Sequence, residues 1–358
     1  MKQFKVGVLG ATGTVGQNYI HLLQNHPWFV INFLAASKDS QTYVDAVKER
    51  GWSMSADVPG KVGRLPVRNV NNIESALEEC DFVFSALDTA PAKEWEVQYA
   101  AAGIPVVSNA AANRWEPDVP MLIPEINHSH TEIIPFQQKN RGWDKGFIVV
   151  KPNCSLQSYL APIYALIRAG YNVNKIILTT EQASSGAGRP GVPSLDLLDN
   201  AVPHIGGEEK KTEQEPWKIL GNVSLDGIIN YDGLKISATC TRVPVRDGHM
   251  AAVNIGFADD IPELEEVIQI WEKFTSLPQD ANLPFAPKRP IVYRREENRP
   301  QQILDRNEGN GMAVVVGQLR KCPVLDYKFV ALSNNVIRGA AGGGILNAEL
   351  LVHQGYLR

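Results

Sequence analysis

The sequence predicts a two-domain protein, with an α/β domain built on a parallel sheet and an α+β domain built on a mostly antiparallel sheet. The chain has 358 residues, which is enough for two cores of ordinary size. In its first part, short apolar segments alternate with helical ones, and this alternation is typical of βαβ units. From about residue 147 onward, the apolar segments are longer, alternate more strictly with polar residues and are separated by few helices.

The first part opens with a short buried strand over residues 5–9, a glycine-rich turn and an amphipathic helix that runs to about residue 26. Further strands and a helix follow before the pattern changes. We expect the strands at 30–36, 82–87 and 105–108, and the helix at 92–102.

The second part begins with a strand, a Pro-Asn turn and a helix. The Gly- and Ala-rich tail, residues 334–356, is predicted to be helical and to pack back onto the first domain. We therefore predict a dinucleotide-binding domain of residues 1–153 plus 338–358, and a second domain of residues 154–337. The expected strands are 147–151, 175–181, 235–242, 250–257, 312–319 and 328–332, and the expected helices are 155–168 and 262–274.

Composition and charge argue against several classes of function. The net charge of −4 gives no electrostatic reason to expect a nucleic acid or an acidic membrane as partner. No apolar run approaches the roughly 20 residues that span a bilayer, and the N-terminal residues show no apolar core of a signal peptide. We expect a cytoplasmic protein.

The cysteines and histidines show no metal-binding or disulfide spacing. The cysteines are far apart and form no Cys-x-x-Cys pair, so we expect neither a disulfide framework nor a structural zinc site. His128 and His130 are close together but lack further ligands, so we expect no metal there either. The cysteines are Cys80, Cys154, Cys240 and Cys322.

The turn after the first strand carries a cofactor signal. Three glycines lie at G-x-x-G-x-x-G spacing between a strand and a helix, where backbone N–H groups can approach a pyrophosphate. The spacing departs from the commoner G-x-G-x-x-G, but its position in the first βα unit predicts a Rossmann-type domain. The expected cofactor contacts are Gly10, Thr12, Gly13, Thr14, Val15 and Gly16.

The end of the second strand decides between NAD and NADP. An acidic side chain there suits the ribose 2′-hydroxyl, whereas a cation suits a 2′-phosphate. Ser37 and Lys38 supply a hydroxyl and a cation, and Asp39 is the competing signal. We predict NADP, with NAD or dual use as the alternative.

Cys154 lies where a predicted strand meets a predicted helix, in the run Lys-Pro-Asn-Cys-Ser. The positive end of a helix stabilises a thiolate and lowers the pKa of the thiol. The other three cysteines fit strand or helix interiors, where cysteine is a small inert hydrophobe. Cys154 is therefore the candidate nucleophile.

Two further stretches supply partners for a reactive thiol. His249, at a strand boundary, can take and return a proton near neutral pH, and Arg242 can bind a carboxylate through two hydrogen bonds. Gln182, at a strand end before a small-residue turn, can orient a polar intermediate. The structural alternatives are a turn histidine held by the backbone and an exposed strand arginine.

Five motifs follow one another along the chain: Gly-Ala-Thr-Gly-x-Val-Gly, Pro-Asn-Cys-Ser, Gln-Ala-x-Ser-Gly-Ala-Gly, Arg-Val-Pro-Val-x-x-Gly-His and Ile-Arg-Gly-Ala-Ala-Gly-Gly. Together they resemble the aspartate-β-semialdehyde dehydrogenase family in its archaeal and fungal branch, and the resemblance runs from Lys5 to Leu351. It implies that Cys154 is the nucleophile and His249 the general acid and base. It also implies that Gln182 orients the covalent intermediate and that Arg242 binds the substrate α-carboxylate.

The resemblance also implies roles in stretches that otherwise read as solvated loops. Glu208 would bind the substrate amine and Lys211 the phosphate, although Lys210 stands where the family usually has a glutamate. Arg114 and Asn153 would hold the phosphate, and here too the residues around Arg114 depart from the family pattern. Additional cofactor contacts are expected at Ser85, Ser185, Gly186, Asn335 and Gly342, with helix packing as the alternative for the glycine near the C-terminus.

The implied reaction is NADPH-dependent reductive dephosphorylation of β-aspartyl phosphate to aspartate β-semialdehyde and phosphate, through a cysteine thioacyl intermediate. It is a step in the biosynthesis of lysine, threonine and methionine, and the resemblance implies a homodimer or homotetramer. The alternative on the same scaffold is an acyl reductase for malonyl-CoA or N-acetylglutamyl phosphate. A CoA thioester has no free amine or phosphate, so Glu208 and Lys211 argue against it. The alternative from another class is a non-catalytic NADP-binding sensor, which the complete set of catalytic residues argues against.

Overall fold

The first part of the chain folds around a six-stranded parallel sheet in a computed structural model that describes residues 3–358. Met1 and Lys2, which belong to the predicted 1–153 segment, lie outside the described residues. The strands are β1 (Phe4–Leu9), β2 (Phe29–Ala36), β3 (Val67–Asn69), β4 (Phe82–Ser85), β5 (Val106–Ser108) and β6 (Ile148–Val150). Their order is β3-β2-β1-β4-β5-β6. The order changes direction between β1 and β4, and open α/β sheets bind ligands at the carboxyl ends of the strands at such a point.

Helices connect these parallel strands, as the alternating pattern predicts. They are α1 (Thr14–Leu22), α2 (Tyr43–Arg50), α3 (Gly60–Gly63), α4 (Ile73–Glu79), α5 (Thr89–Ala101), α6 (Pro124–Asn127) and α7 (Ile134–Arg141). Helix α1 ends before the predicted residue 26, because His26 turns the chain and its Nδ1 accepts the backbone N–H groups of Trp28 and Phe29. Strand β3 was not predicted, since a three-residue edge strand is too short to show an alternating pattern.

The second part of the described chain contains a six-stranded mixed sheet. Its strands are β7 (Val173–Ala183), β10 (Lys235–Val243), β11 (His249–Phe257), β12 (Ile291–Arg294), β13 (Val314–Lys321) and β14 (Tyr327–Ser333), and a small separate hairpin pairs β8 (Asn222–Ser224) with β9 (Gly227–Ile229). The order is β10-β7-β11-β14-β13-β12. The three central pairs are antiparallel, as predicted, whereas both edge strands run parallel to their neighbours.

The helices of the second part explain the parallel edges. They are α8 (Leu156–Arg168), α9 (Ser194–Leu197), α10 (Glu208–Ile219), α11 (Leu264–Lys273), α12 (Leu277–Asp280) and α13 (Gln302–Asp305). Helix α10 lies between β7 and β10 and supplies the crossover that two parallel neighbours require. The reading of its first residues as a solvated loop is therefore wrong.

Two helices link the sheets to the rest of the molecule. Helix α8 is almost entirely buried, and its side chains join a core that contains residues of both sheets. The C-terminal helix α14 (Gly342–His353) follows a π-helical turn at Ile337–Ala341. It shares its core with β1, β2 and β4 of the parallel sheet and packs against α1, β5 and α6.

The described part of the chain contains neither a membrane-spanning helix nor a metal-binding cluster. Across residues 3–358 there is no helix that combines the length and the apolar character needed to cross a membrane. Within the same residues, no cluster of His, Cys, Asp and Glu side chains could hold a metal ion. His130 instead contacts the amide of Asn127 and the carbonyl of Gly221.

Candidate active site

Three neighbouring strands bring three of the expected site residues to one end of the mixed sheet. Gln182 lies near the end of β7, and Arg242 is its partner in the register of the parallel strand β10. His249 is the first residue of β11, on the other side of β7. All three are buried, so the exposed-arginine alternative for Arg242 is wrong.

Cys154 meets these residues from the segment between β6 and α8. Its Sγ lies 3.3 Å from Nε2 of His249. On the far side of the imidazole, Nδ1 accepts the backbone N–H of Ala183 at 3.0 Å. Because Nδ1 is an acceptor, a neutral His249 carries its proton on Nε2 and directs an N–H group at the sulfur.

Burial dominates the electrostatics of this pair. It lowers the pKa of His249 to about 3, with the positive charge of Arg242 adding to the effect. It also raises the pKa of the Cys154 thiol, and the Glu208 carboxylate acts in the same direction. The cations Lys151, Arg114 and Arg242 oppose this rise. The pKa of the Cys154 thiol is thus raised overall, whereas the helix end alone would lower it.

Glu208 connects the polar groups beside Cys154 through hydrogen bonds. Its carboxylate accepts hydrogen bonds from Asn153 Nδ2 at 3.0 Å, Lys211 Nζ at 2.9 Å and Gln182 Nε2 at 3.3 Å. These groups and Cys154 line one cavity of about 260 Å³. Arg242 and Arg114 also line it, so the cavity holds every residue to which the resemblance assigns a substrate contact.

Arg114 is held in place by a residue that sequence reasoning missed. Its Nη1 donates to Oε1 of Glu215 at 2.9 Å, and the other oxygen of that carboxylate accepts the backbone N–H of Asn153 at 2.6 Å. Two backbone carbonyls take further guanidinium N–H groups. Glu215 is fully buried and so ties together the two groups that are expected to bind phosphate.

A helical period could have revealed Glu215. Buried polar side chains recur along one face of α10, at Glu208, Thr212, Glu215 and Lys218. This spacing of four and then three residues is that of one helix face. Apolar periodicity, the usual helix signal, does not reveal such a polar face.

The glycine-rich turn has the geometry of a cofactor cradle. Gly10 has φ +77°, and a Cβ added there would lie 2.6 Å from the carbonyl oxygen of Ala86. A Cβ at Gly16 would lie 2.2 Å from the carbonyl oxygen of Gly10. No side chain caps the start of α1, and its first turn holds no acidic residue, so the turn that also contains Thr12, Gly13, Thr14 and Val15 suits an anionic diphosphate.

The end of β2 presents a cation to solvent. Ser37 and Lys38 follow the strand and are exposed. Asp39, the signal for NAD, accepts the backbone N–H of Asn69 at 2.9 Å and so has a structural partner. This arrangement fits the predicted preference for a 2′-phosphate.

The remaining expected cofactor residues differ in their surroundings. Asn335 joins two loops, since it donates to Ser185 Oγ at 2.9 Å and accepts the backbone N–H of Gly248 at 2.7 Å. Gly186 is exposed, and a Cβ there would lie 2.8 Å from Nη1 of Arg242. These positions border the catalytic pair.

Two of the expected cofactor contacts are buried. Ser85 is fully buried at the end of β4, and its contact with the cofactor stays a prediction. Gly342 is buried in α14, and a Cβ there would lie 2.8 Å from Met312 Sδ. This close approach supports the packing alternative for Gly342, and its contact with the cofactor also stays a prediction.

The three other cysteines lie outside this cavity. Cys240 is buried in β10, and Cys80 donates to the carbonyl of Ala76. Burial raises the pKa of Cys80 to about 12. Cys322 lies in a turn, where the backbone N–H of Leu325 points at its sulfur.

Comparison with known proteins places the chain in a family. A profile described as "Semialdehyde dehydrogenase, NAD binding domain" matches residues 5–134, and one described as "Semialdehyde dehydrogenase, dimerisation domain" matches residues 160–338. The aspartate-semialdehyde dehydrogenase of Cryptococcus neoformans is 43% identical over 99% of this chain and 99% of that protein. That of Methanothermobacter thermautotrophicus is 44% identical over 97% and 98%. The crystal structure of aspartate-semialdehyde dehydrogenase with NADP from Candida albicans matches with a TM-score of 0.89 at 39% identity, covering 98% of each chain. The chain therefore belongs to the aspartate-semialdehyde dehydrogenase family.

Proposed function

We propose that this chain catalyses the NADP-dependent reductive dephosphorylation of β-aspartyl phosphate to aspartate β-semialdehyde and phosphate. The observation that carries the proposal is the 3.3 Å approach of Cys154 Sγ to His249 Nε2, beside a cavity that Cys154 lines together with cationic and anionic side chains. The charges of this cavity match the substrate. Arg242 suits its α-carboxylate, and Glu208 suits its ammonium group.

The phosphate end of the substrate has its own partners. Arg114, Asn153 and Lys211 line the cavity close to Cys154 in the fold. Glu215 and two backbone carbonyls occupy three N–H groups of the Arg114 guanidinium, and a guanidinium has five such donors. Arg114 therefore keeps donors for the phosphate oxygens while its orientation is fixed.

The first chemical step is attack by the thiolate form of Cys154, whose proton has already been lost to solvent, on the acyl carbon. An S–C bond forms, the acyl C–O bond to phosphate breaks, and phosphate leaves with that electron pair. The product is a thioacyl enzyme. The Nε2–H of His249 faces the reacting sulfur, so it can donate to the oxyanion of the tetrahedral intermediate.

NADP(H) supplies or accepts the hydride when it is bound. The turn from Gly10 to Gly16 would hold its diphosphate, and Ser37 and Lys38 would meet the 2′-phosphate. Gly186 and Asn335, beside His249, would border the reacting end. Cleavage of the C–S bond in the reduced intermediate then regenerates the Cys154 thiolate and releases the aldehyde.

The kinetic test is phosphate-dependent reduction of NADP and of NAD by aspartate semialdehyde. We expect NADP to be preferred, and we expect Cys154→Ala to lose at least about 10³-fold in kcat. Cys322→Ala, a partly exposed cysteine outside the cavity, is the matched control and should keep its rate. Phosphate-dependent turnover by Cys154→Ala would refute the mechanism.

Oxidation of NADPH, measured in the opposite direction with different acyl donors, separates the alternatives. Oxidation of NADPH by malonyl-CoA or N-acetylglutamyl phosphate, with none by β-aspartyl phosphate, would indicate a different acyl reductase. Binding of NADPH without thiol-dependent turnover on any acyl donor would indicate a sensor.

The proposal includes the organisation of the chain. Residues 1–153 and 338–358 would form the dinucleotide-binding domain, and residues 154–337 the catalytic and dimerisation domain. The shared core of α14 and the parallel sheet supports this division.

The assembly would be a homodimer or homotetramer. The mixed sheet is covered by α8 on one face, and on the other Ile177 is 47% exposed and Ala252 is exposed as well. A second copy of the chain would cover these residues. A cytoplasmic location is also proposed, and the free state of the four cysteines supports it.

A further inference from the structure

Lys151 is a buried amine that the proposed mechanism does not use. It lies three residues before Cys154, its side chain is only 2% exposed, and its Nζ donates to the carbonyl of Pro152 at 2.5 Å. Its stem runs along the C-terminal segment, since a Cβ at Gly343 would lie 3.0 Å from Lys151 Cδ. Four residues earlier on that segment, a Cβ at Gly339 would lie 2.9 Å from Cys154 Cβ. The side-chain stems of Lys151 and Cys154 thus lie against the same stretch of backbone.

His249 is not suited to be the counter-cation of a Cys154 thiolate. Protonation of its Nδ1 would replace an acceptor by a donor and break the bond from the Ala183 N–H. Its pKa of about 3 agrees with this geometry. The positive charge that balances the thiolate must come from another side chain.

Arg114, Arg242 and Lys151 are the cations that act on the sulfur. The two arginines are always charged, and each already has a protein partner, Glu215 for Arg114 and the Ala183 carbonyl for Arg242. Lys151 differs because burial lowers its pKa to about 7. It alone of the three can gain or lose its charge near neutral pH.

The surroundings of Lys151 contain an acceptor without a partner. Asn347 is fully buried, and neither of its amide atoms has a hydrogen-bond partner among the described residues. Asn347 and Lys151 line one small enclosed chamber, with the ion pair of Glu125 and Arg338 beside them. An ammonium group has three donors, and the Asn347 carbonyl oxygen, which lies in the same chamber, is an acceptor that none of the described residues uses.

We propose that Lys151 is the counter-cation of the Cys154 thiolate, and that Asn347 stabilises its charged form inside the chamber. Lys151 is then a positioning residue that acts on the sulfur through space. The inference deepens the proposed function and rests on it, because it concerns the activation of the proposed nucleophile.

Other charges also act on Lys151 and set the balance between its ammonium and neutral forms. Arg114 and Arg338 disfavour its ammonium form, whereas Glu215 and a Cys154 thiolate favour it. Loss of the Cys154 proton and retention of the Lys151 proton are therefore coupled. Because burial lowers the pKa of Lys151 and raises that of the Cys154 thiol, most pairs that have lost one proton hold a neutral amine and a thiol. The ion pair is the minor form, and it is the nucleophilic one.

The test is the rate of alkylation of Cys154 by iodoacetamide as a function of pH, read at that residue by peptide mass spectrometry. This needs no turnover. In the wild type we expect an inflection near pH 7 and a second one at higher pH. In Lys151→Met the first inflection should vanish, and the rate at pH 7.5 should fall at least about tenfold, as for a rise of one unit in the thiol pKa.

Two variants complete the design. Lys218→Met removes another lysine that is 2% exposed and has a pKa lowered to about 7, but that donates to the carbonyls of Arg114 and Glu116. It should keep the wild-type profile. Asn347→Leu removes the acceptor from the chamber and should reduce the rise in alkylation rate at the first inflection.

The outcomes separate this inference from the proposed function. A folded Lys151→Met with the wild-type profile would overturn the inference alone. A wild-type profile with a single inflection above pH 9 would overturn it even if neither chamber variant folds. Phosphate-dependent turnover by Cys154→Ala would instead count against the proposed nucleophile.

Discussion

Replacing Glu215 with glutamine tests the phosphate subsite in a way that the structure makes quantitative. The carboxylate accepts one hydrogen bond from Asn153 N at 2.6 Å and one from Arg114 Nη1 at 2.9 Å. A glutamine can keep the first bond with its carbonyl oxygen, but its NH₂ group then faces the guanidinium, donor against donor. Arg114 would remain a buried charge without its anionic partner, which costs about 3 kcal/mol of unfolding free energy.

The functional consequence should appear in phosphate binding. With its orientation no longer fixed, Arg114 should lose the equivalent of one hydrogen bond to phosphate in the bound state. We expect the KM for phosphate to rise at least about tenfold, which corresponds to about 1.4 kcal/mol. The assay is the phosphate dependence of NADP reduction by aspartate semialdehyde, together with thermal unfolding of both proteins.

Glu213→Gln is the matched control for this experiment. Glu213 lies on the same helix and accepts a single backbone hydrogen bond, from Ala238 N at 3.0 Å, outside the cavity. It should leave the KM for phosphate unchanged. A Glu215→Gln protein with the wild-type KM for phosphate would refute the reasoning, whatever its stability.

Three further predictions follow from other parts of the molecule. Lys38→Glu should lower the preference for NADP over NAD at least about tenfold in kcat/KM, while Lys61→Glu, another exposed lysine of the first part, should not; an unchanged ratio would place the 2′-phosphate elsewhere. Ala252→Arg should give a monomer by light scattering, whereas Leu225→Arg, at a residue that is 90% exposed on a hairpin turn, should not. An intact Ala252→Arg oligomer would show that the interface lies on another surface. Acid should destabilise the fold through His249: between its ordinary pKa of 6.5 and about 3, the unfolded chain binds a proton that the folded chain excludes, so unfolding free energy is lost as the pH falls. At pH 5 this amounts to about 2 kcal/mol, and chemical unfolding of His249→Gln should lack that part of the pH dependence if the account is right.

Much of the fold was predictable because local patterns agree with the tertiary structure. The strand, glycine turn and helix at the start of the chain each have their own signal, and together they place the crevice above β1 and β4. The antiparallel centre of the second sheet follows from alternation in the same way. The parallel edge at β10 was hidden, because the helix that crosses to it has a buried face of polar residues.

Some site residues could be predicted from the sequence, whereas others could not. Cys154 and His249 stand at element boundaries where their chemistry is visible in sequence, and the structure brings their side chains together. Glu215 and Lys151 act through other residues, and their importance depends on burial and on partners distant in sequence. Ser85 shows another property that the sequence hides, since a position at a strand end does not reveal how deeply the side chain is buried.

Covalent chemistry at Cys154 is the central claim, and mass spectrometry of the acylated protein tests it most directly. The protein is mixed with β-aspartyl phosphate in the absence of NADPH, and the modified residue is identified after proteolysis. The account predicts one aspartyl group on Cys154 in the wild type and in Cys322→Ala, none in Cys154→Ala, and release of the group as aldehyde when NADPH is added. Acylation of a different residue, or NADPH-dependent formation of aldehyde by Cys154→Ala, would contradict it.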